Sequence, residues 1–158
     1  MDVLDAIYHR RAVRDFSDRP VSVDTIRDLI DAAIQAPSAM NLQPWGFAVV
    51  TDRRKLAAIS KQAKAYLLDH LSPRSPLLRL RDDLASPAFN IFYNAPVLVV
   101  ICATSAEAGA AEDCALAAQN FMLAAYANDL GTCWIGLSRA WLDQPEGKAS
   151  LGVPPAYV

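Results

Sequence analysis

The stretch "RRAVRDF", residues 10–16, gathers Arg10, Arg11 and Arg14 in a chain of 158 residues whose formal net charge is only −2. A guanidinium group presents paired N–H donors in one plane, the geometry that grips a phosphate dianion. A phosphorylated small molecule is therefore one ligand this stretch could serve. The plain alternative is electrostatic. Arginines where a helix ends are favoured by its dipole and need no ligand, and Asp15 and Asp18 stand close by in sequence as ion-pair partners. Taken alone, the cluster favours the plain alternative, because charge runs are usually solvated faces.

Two further segments carry polar groups of the right kind. In "PSAMNLQPW", from Pro37, prolines frame Ser38, Asn41 and Gln43. These short side chains offer the donors and acceptors that hydrogen-bond a heterocycle or a ribityl-like chain, although Ser and Asn also satisfy their own turns. "GTCWIG", residues 131–136, sets backbone N–H groups beside small residues. Such a strand end can approach a flat ring closely, or it can be a buried edge strand.

Side-chain catalysis finds little support. No G-x-S-x-G elbow and no H-E-x-x-H is present. Cys102, Cys114 and Cys133 form no C-x-x-C pair, and His9 and His70 are a thin supply of general bases. His9 reads as decoration at the end of the first helix. Six glycines draw no G-x-G-x-x-G and no P-loop. No catalytic side chain and no metal site are expected, so an organic cofactor is left to perform the hard step.

The bulk numbers narrow the class. With 53% hydrophobic and 20% charged residues, the chain is globular, and one domain spanning 1–158 is expected. The small net charge argues against a general nucleic-acid binder. The longest apolar run, Ala95 to Ala103, has nine residues where a membrane helix needs about twenty. The acidic start, with Asp2 and Asp5, lacks the pattern of a signal peptide. Unpaired cysteines fit a reducing compartment. A soluble cytoplasmic protein without membrane or nucleic-acid partners is the expectation.

Periodicity predicts the elements that position these groups. Val3, Leu4, Ile7 and Tyr8 share a face of a short first helix. Ser22 caps a second helix, whose Ile26, Leu29, Ile30, Ala33 and Ile34 repeat until Pro37. "WGFAVVT" reads as a strand and Asp52 as the cap of a helix through Leu68. Residues 69–94 are irregular, with "PLLRLRDDL" as a possible short helix and the stretch as a substrate cover. "PVLVVICAT" is the clearest strand, and residues 111–131 the clearest helix, with Ala115, Ala118, Phe121, Met122 and Ala125 on one face and Gly131 as its left-handed stop. "TCWIGL" reads as a strand or extended turn, and "QPEGKASLG" as a last helix ended by Gly152. The pattern predicts a small sheet wrapped by helices in an α+β or α/β domain.

In order and at these separations, "RRAVRDF", "APSAMNLQPWGFAVV", "NAPVLVVICA" and "AAQNFMLAAYANDLGTCWIG" make the chain resemble the nitroreductase family of FMN-dependent oxidoreductases. The resemblance covers nearly the whole chain and is weakest at 69–94. It implies an α+β fold with a small mixed or antiparallel sheet, and a homodimer whose two active sites are each built from both chains. Arg10, Arg11 and Arg14 would hold the FMN phosphate and ribityl end. Ala12 stands where the family often has Ser, which removes one side-chain hydrogen bond. Pro37, Ser38, Ala39, Met40 and Asn41 would come from the partner chain to flank the ring, with Gln43 nearby. Trp134, Ile135 and Gly136 would line its other face, with a backbone N–H near Gly136 directed at flavin N5.

The implied activity is hydride transfer from NADH or NADPH, through flavin N5, to nitroaromatic, quinone-like or related acceptors by a ping-pong mechanism. Alternatives are a reductive dehalogenase-type enzyme on the same fold and a flavin-sequestering dimer without turnover. A soluble dimer with no ligand leaves the joint occurrence of the four segments unexplained. One departure stands out: the chain ends at "LGVPPAYV", where family members usually continue into another strand and a partner-embracing tail.

Overall fold

The computed structural model describes residues 2–158. At its centre two strands, β1 (Trp45–Val50) and β2 (Leu98–Ala103), pair antiparallel from Trp45 opposite Ala103 to Val50 opposite Leu98. On the other edge of β2, the Ala103 N–H donates to the Val158 carbonyl (2.7 Å) and the Val158 N–H to that of Ala103 (2.8 Å). Both strands are apolar throughout because helices cover both faces. Alternation sorts their side chains. Val50, Leu98 and Val100 pack with Leu56, Ile59 and Ala63 of α3 (Arg53–Asp69), with Leu84 of α4 (Arg81–Ala85) and with Ile91 and Phe92. Trp45, Phe47 and Ile101 face Ala33 of α2 (Val23–Ala33) and Ala110, Cys114 and Ala117 of α5 (Ala110–Ala127).

The expected caps are in place. The Thr25 N–H donates to Ser22 Oγ (3.0 Å) at the start of α2, and the Lys55 N–H to Asp52 Oδ1 (2.8 Å) at the start of α3. The irregular stretch holds a 3₁₀ turn at Pro76–Leu80 leading into α4. A short α6 (Arg139–Leu142), which periodicity did not predict, precedes α7 (Pro145–Leu151); α7 ends at Gly152 with φ +70. In α1 (Val3–His9), Ala6 is the buried residue, whereas Val3, Leu4, Ile7 and Tyr8 are exposed. Their apolar face has no cover within one chain.

Near the end of α5 one expectation is corrected, and of the two readings of "TCWIGL" the extended turn is the one observed. The left-handed residue is Asp129 (φ +56), not Gly131, and the Leu130 N–H closes the turn on the Ala125 carbonyl (2.9 Å). Gly131 is needed for another reason: a Cβ there would lie 2.8–2.9 Å from the branched side chain of Val13. That approach exists because Ala12 and Thr132 form a parallel bridge, the Val13 N–H donating to the Thr132 carbonyl (2.9 Å). "TCWIGL" is thus no strand beyond this bridge. On the face of α5, Ala115 is exposed, and Ala110, Asp113, Cys114, Ala117, Ala118 and Ala125 are the buried residues.

Overpacking at such a contact typically costs about 1–3 kcal/mol. Gly131→Ala is expected to lower stability by that amount in urea unfolding, and Val13→Ala in the same chain to restore most of it. Additive losses in the double variant would show that the two side chains do not collide.

Candidate functional site

The bridge joins two of the three polar segments. α1 stops at Arg10, whose φ/ψ of −56/130 turns the chain out of the helix and alongside residues 131–134. Arg11 is occupied: its Nη1 donates to the Tyr8 carbonyl (2.7 Å) and the Arg10 carbonyl (2.9 Å), covering the last turn of α1. Arg10 and Arg14 have no carboxylate partner among the described residues. Asp18 pairs instead with Arg53 Nη1 (2.9 Å), so the ion pairs that would make the arginine run a plain solvated face are not formed. His9 stays at the helix end, its Nδ1 2.8 Å from Asp5 Oδ1.

Across the bridge, Trp134 is 61% exposed and Ile135 half-buried, and a Cβ built on Gly136 meets nothing within 4 Å. Among the described residues, the N–H groups of Trp134, Ile135 and Gly136 find no acceptor. The bridge thereby joins the arginine run and the segment carrying these free N–H groups into one ledge.

The irregular stretch reaches this ledge too. The Arg14 guanidinium lies 5.9 Å from the centre of the Tyr93 ring, a cation–π contact. Tyr93 (φ +53) and Asn94 (φ +57) both adopt the left-handed region, and Tyr93 packs edge-on against Phe89. Lys64, buried on α3, donates from Nζ to the Ser86 and Phe89 carbonyls (2.6 Å each). Sequence reasoning missed Tyr93 and Lys64. The signal was a lone cation on an otherwise apolar helical face, which costs too much to bury without partners.

The third segment is preorganised elsewhere. Pro37 is exposed and Ser38 half-buried; a 3₁₀ turn spans Ala39–Asn41. Met40 (φ +51), Asn41 (φ +57) and Gln43 (φ +50) are all left-handed without being glycine. Ser38 Oγ accepts from the Gln43 N–H (2.9 Å), and Gln43 Nε2 donates to Asn41 Oδ1 (3.0 Å). The Ala39 N–H donates to both carboxylate oxygens of Asp113 (3.2 Å each), in the first turns of α5. Met40, at 93% exposure, projects from the loop.

One chain does not bring this loop to the arginine ledge. The loop is tied to residue 113, and the ledge follows residue 127, where α5 ends. At the usual helical rise, those positions lie about 21 Å apart. Within one chain the loop and the ledge are thus anchored toward opposite ends of α5.

Comparison with known proteins decides the family. The model of the nitroreductase family matches residues 7–157. This chain belongs to the nitroreductase family. It is 32% identical over 162 residues to a relative from Methanothermobacter thermautotrophicus that bears the name NADH dehydrogenase/NAD(P)H nitroreductase, covering 100% of this chain and 72% of the relative. A crystal structure of a nitroreductase with bound FMN from Bacteroides fragilis superposes with a TM-score of 0.86 at 30% identity, over 99% of this chain and 83% of that one. A second, from Desulfitobacterium hafniense and also with bound FMN, gives 0.83 at 27% identity, over 100% and 85%. The α+β fold with a small antiparallel sheet is the nitroreductase fold.

A cleft of about 930 Å³ runs along β2 between α2 and α5. It reaches Trp134, Ile135 and Gly136 but none of the three arginines, and its walls are mostly apolar. Cys102 and Cys114 line it. Burial first, then the neighbouring Cys102 and Asp113, push the Cys114 thiol up to about 11, and burial followed by Asp143 raises Cys102. At pH 8 a thiol with such a pKa is about one part in a thousand thiolate, and the thiolate is the nucleophile. In flavin-free protein at pH 8, iodoacetamide is therefore expected to alkylate the half-buried Cys133 at least about tenfold faster than Cys114. Peptide mass spectrometry over a time course checks this, and equal rates would contradict it. No helix among the described residues is long and apolar enough to cross a membrane.

Proposed function

We propose that two copies of this chain bind FMN in shared sites and transfer hydride from NADH or NADPH to a nitroaromatic, quinone-like or related acceptor in the cytoplasm. The observation that carries the reading is the Ala12–Thr132 bridge, which joins the segment of Arg10 and Arg14 to that of Trp134, Ile135 and Gly136; among the described residues those arginines have no carboxylate partner and those N–H groups no acceptor. The residues present fit a phosphorylated flavin. Arg10 and Arg14 would hold the phosphate and ribityl end, with Arg11 closing α1 beside them. Ala12 contributes backbone only. Pro37, Ser38, Ala39, Met40, Asn41 and Gln43 of the second copy would flank the ring, and Trp134, Ile135 and Gly136 would line it from the first.

Bound FMN supplies the redox chemistry by taking up and releasing hydride at N5. The protein's own work is electrostatic and steric. Preorganised N–H donors on the 134–136 turn stabilise negative charge without having to reorganise. The rigid loop from Pro37 fixes the plane in which a ring can lie. One pocket then admits donor and acceptor in turn, which is ping-pong kinetics. The exposed apolar residues Val3, Leu4, Ile7 and Tyr8 on α1, Leu116 on α5, and Met40 and Leu42 support a dimer, since a face of that kind is normally covered.

The test is spectroscopic. Purified protein is expected to be yellow, to bleach anaerobically with NADH or NADPH, and to recover colour when a nitroaromatic is added. Colour that neither nicotinamide bleaches would leave a flavin-sequestering dimer. Halide released from a haloaromatic, with nitro compounds untouched, would move the activity to reductive dehalogenation. Colourless protein that fails to take up FMN would end the proposal.

A further inference from the structure

We propose that Asp113 is a positioning residue for the loop that contacts the flavin, acting through the Ala39 N–H; this rests on the FMN reading above. The carboxylate is 6% exposed, and both its oxygens accept from that single N–H at 3.2 Å. It is not the cap of α5. The cap position is Gly109, and Asp113 lies a full turn inside, its own N–H donating to the Gly109 carbonyl (2.9 Å). Its side chain is bonded to the loop alone among the described residues. A buried carboxylate is costly unless its partners repay the lost water, although the first turns of an 18-residue helix favour the charge.

What the bond achieves is visible in the backbone. Directly after Ala39, the chain places Met40, Asn41 and Gln43 in the left-handed region, each at a conformational cost that persists only where the surroundings over-determine it. Ser38 and Gln43 brace the loop internally. From outside the loop, Asp113 holds its backbone at Ala39 across 74 residues of sequence, and Cys114 beside it adds only a weak thiol contact to the Pro44 carbonyl (3.8 Å) at the loop's far end. On the two-copy site, Asp113 of one chain therefore orients the loop serving the other chain's arginines. It touches neither flavin nor substrate.

The experiment compares FMN affinity by fluorescence quenching in wild type, Asp113→Ala, Asp113→Asn and Ala39→Pro, each at a temperature well below its measured Tm. Ala39→Pro deletes the donor and leaves the carboxylate. Proline suits this place, the first residue of the 3₁₀ turn, because Ser38 before it is extended (φ −138, ψ 152). Asp113→Ala and Ala39→Pro are each expected to weaken FMN binding about tenfold to a hundredfold, and together no more than either alone. Asp113→Asn, which keeps an acceptor oxygen, is expected to regain most of the affinity. If Asp113→Ala does not fold, Ala39→Pro alone carries the test. Wild type that binds FMN while Ala39→Pro binds equally well overturns this inference and leaves the FMN reading intact. Wild type that does not bind FMN overturns both.

Discussion

Replacing Arg10 and Arg14 together by alanine is expected to weaken FMN binding about a hundredfold to ten-thousandfold, while riboflavin binding changes little. A charge-assisted hydrogen bond to phosphate contributes about 1.5–3 kcal/mol, and each 1.4 kcal/mol is a factor of ten. Two such contacts account for the range. Riboflavin lacks the phosphate, so it separates recognition of the anion from any general damage to the ledge. Arg11→Ala should behave differently, because its guanidinium already serves the Tyr8 and Arg10 carbonyls. Its loss is expected to cost about 1 kcal/mol of stability and to affect FMN much less than the double variant. Fluorescence titration with both flavins checks all three. If the double variant loses riboflavin and FMN equally, the arginines do not read phosphate.

The distinction between Arg11 and its neighbours was invisible in the sequence. Three guanidiniums in seven positions advertise an anion, but which one turns back onto the helix depends on the φ/ψ of Arg10. The local signals did reach the structure where the interaction is itself local. Ser22, Asp52 and Gly152 act within a few residues of where they stand, so helix boundaries at those points were legible. The apolar run of β2 was legible because a strand covered on both faces has no polar register to hide.

Long-range partners were not legible. Gly131 invites the reading of a helix stop, since Gly is the usual left-handed residue. Asp129 took that conformation, and Gly131 was reserved for the approach of Val13 from more than a hundred positions away. Asp113 reads as an acid well placed for a helix dipole, with no hint that Ala39 is its partner. Lys64 sits at core spacing in α3 and declares nothing about the carbonyls of Ser86 and Phe89. Side chains that close a site across the fold carry no periodicity, and only the resemblance of whole segments put the pieces in one place.

The most demanding consequence concerns how the pieces are shared. A double variant Arg10→Ala/Arg14→Ala keeps an intact loop, and a double variant Asn41→Val/Gln43→Val keeps intact arginines. Valine is incompatible with φ near +50, so the second variant loses the loop's shape as well as the Gln43–Asn41 bond. Each homodimer is expected to be nearly inactive with NADH or NADPH and a nitroaromatic. After unfolding and refolding as an equal mixture, half of the dimers are mixed. In each mixed dimer, one site takes both defects and the other takes none. Activity is therefore expected to return to about a quarter of the wild-type level, the fraction that random pairing of two-fold dimers dictates. Sites contained within single chains would give no recovery at any ratio. The 21 Å or so that α5 puts between residue 113 and residue 127 makes recovery the physical expectation, because no local adjustment of a loop tied at one end of that helix spans the gap to the other.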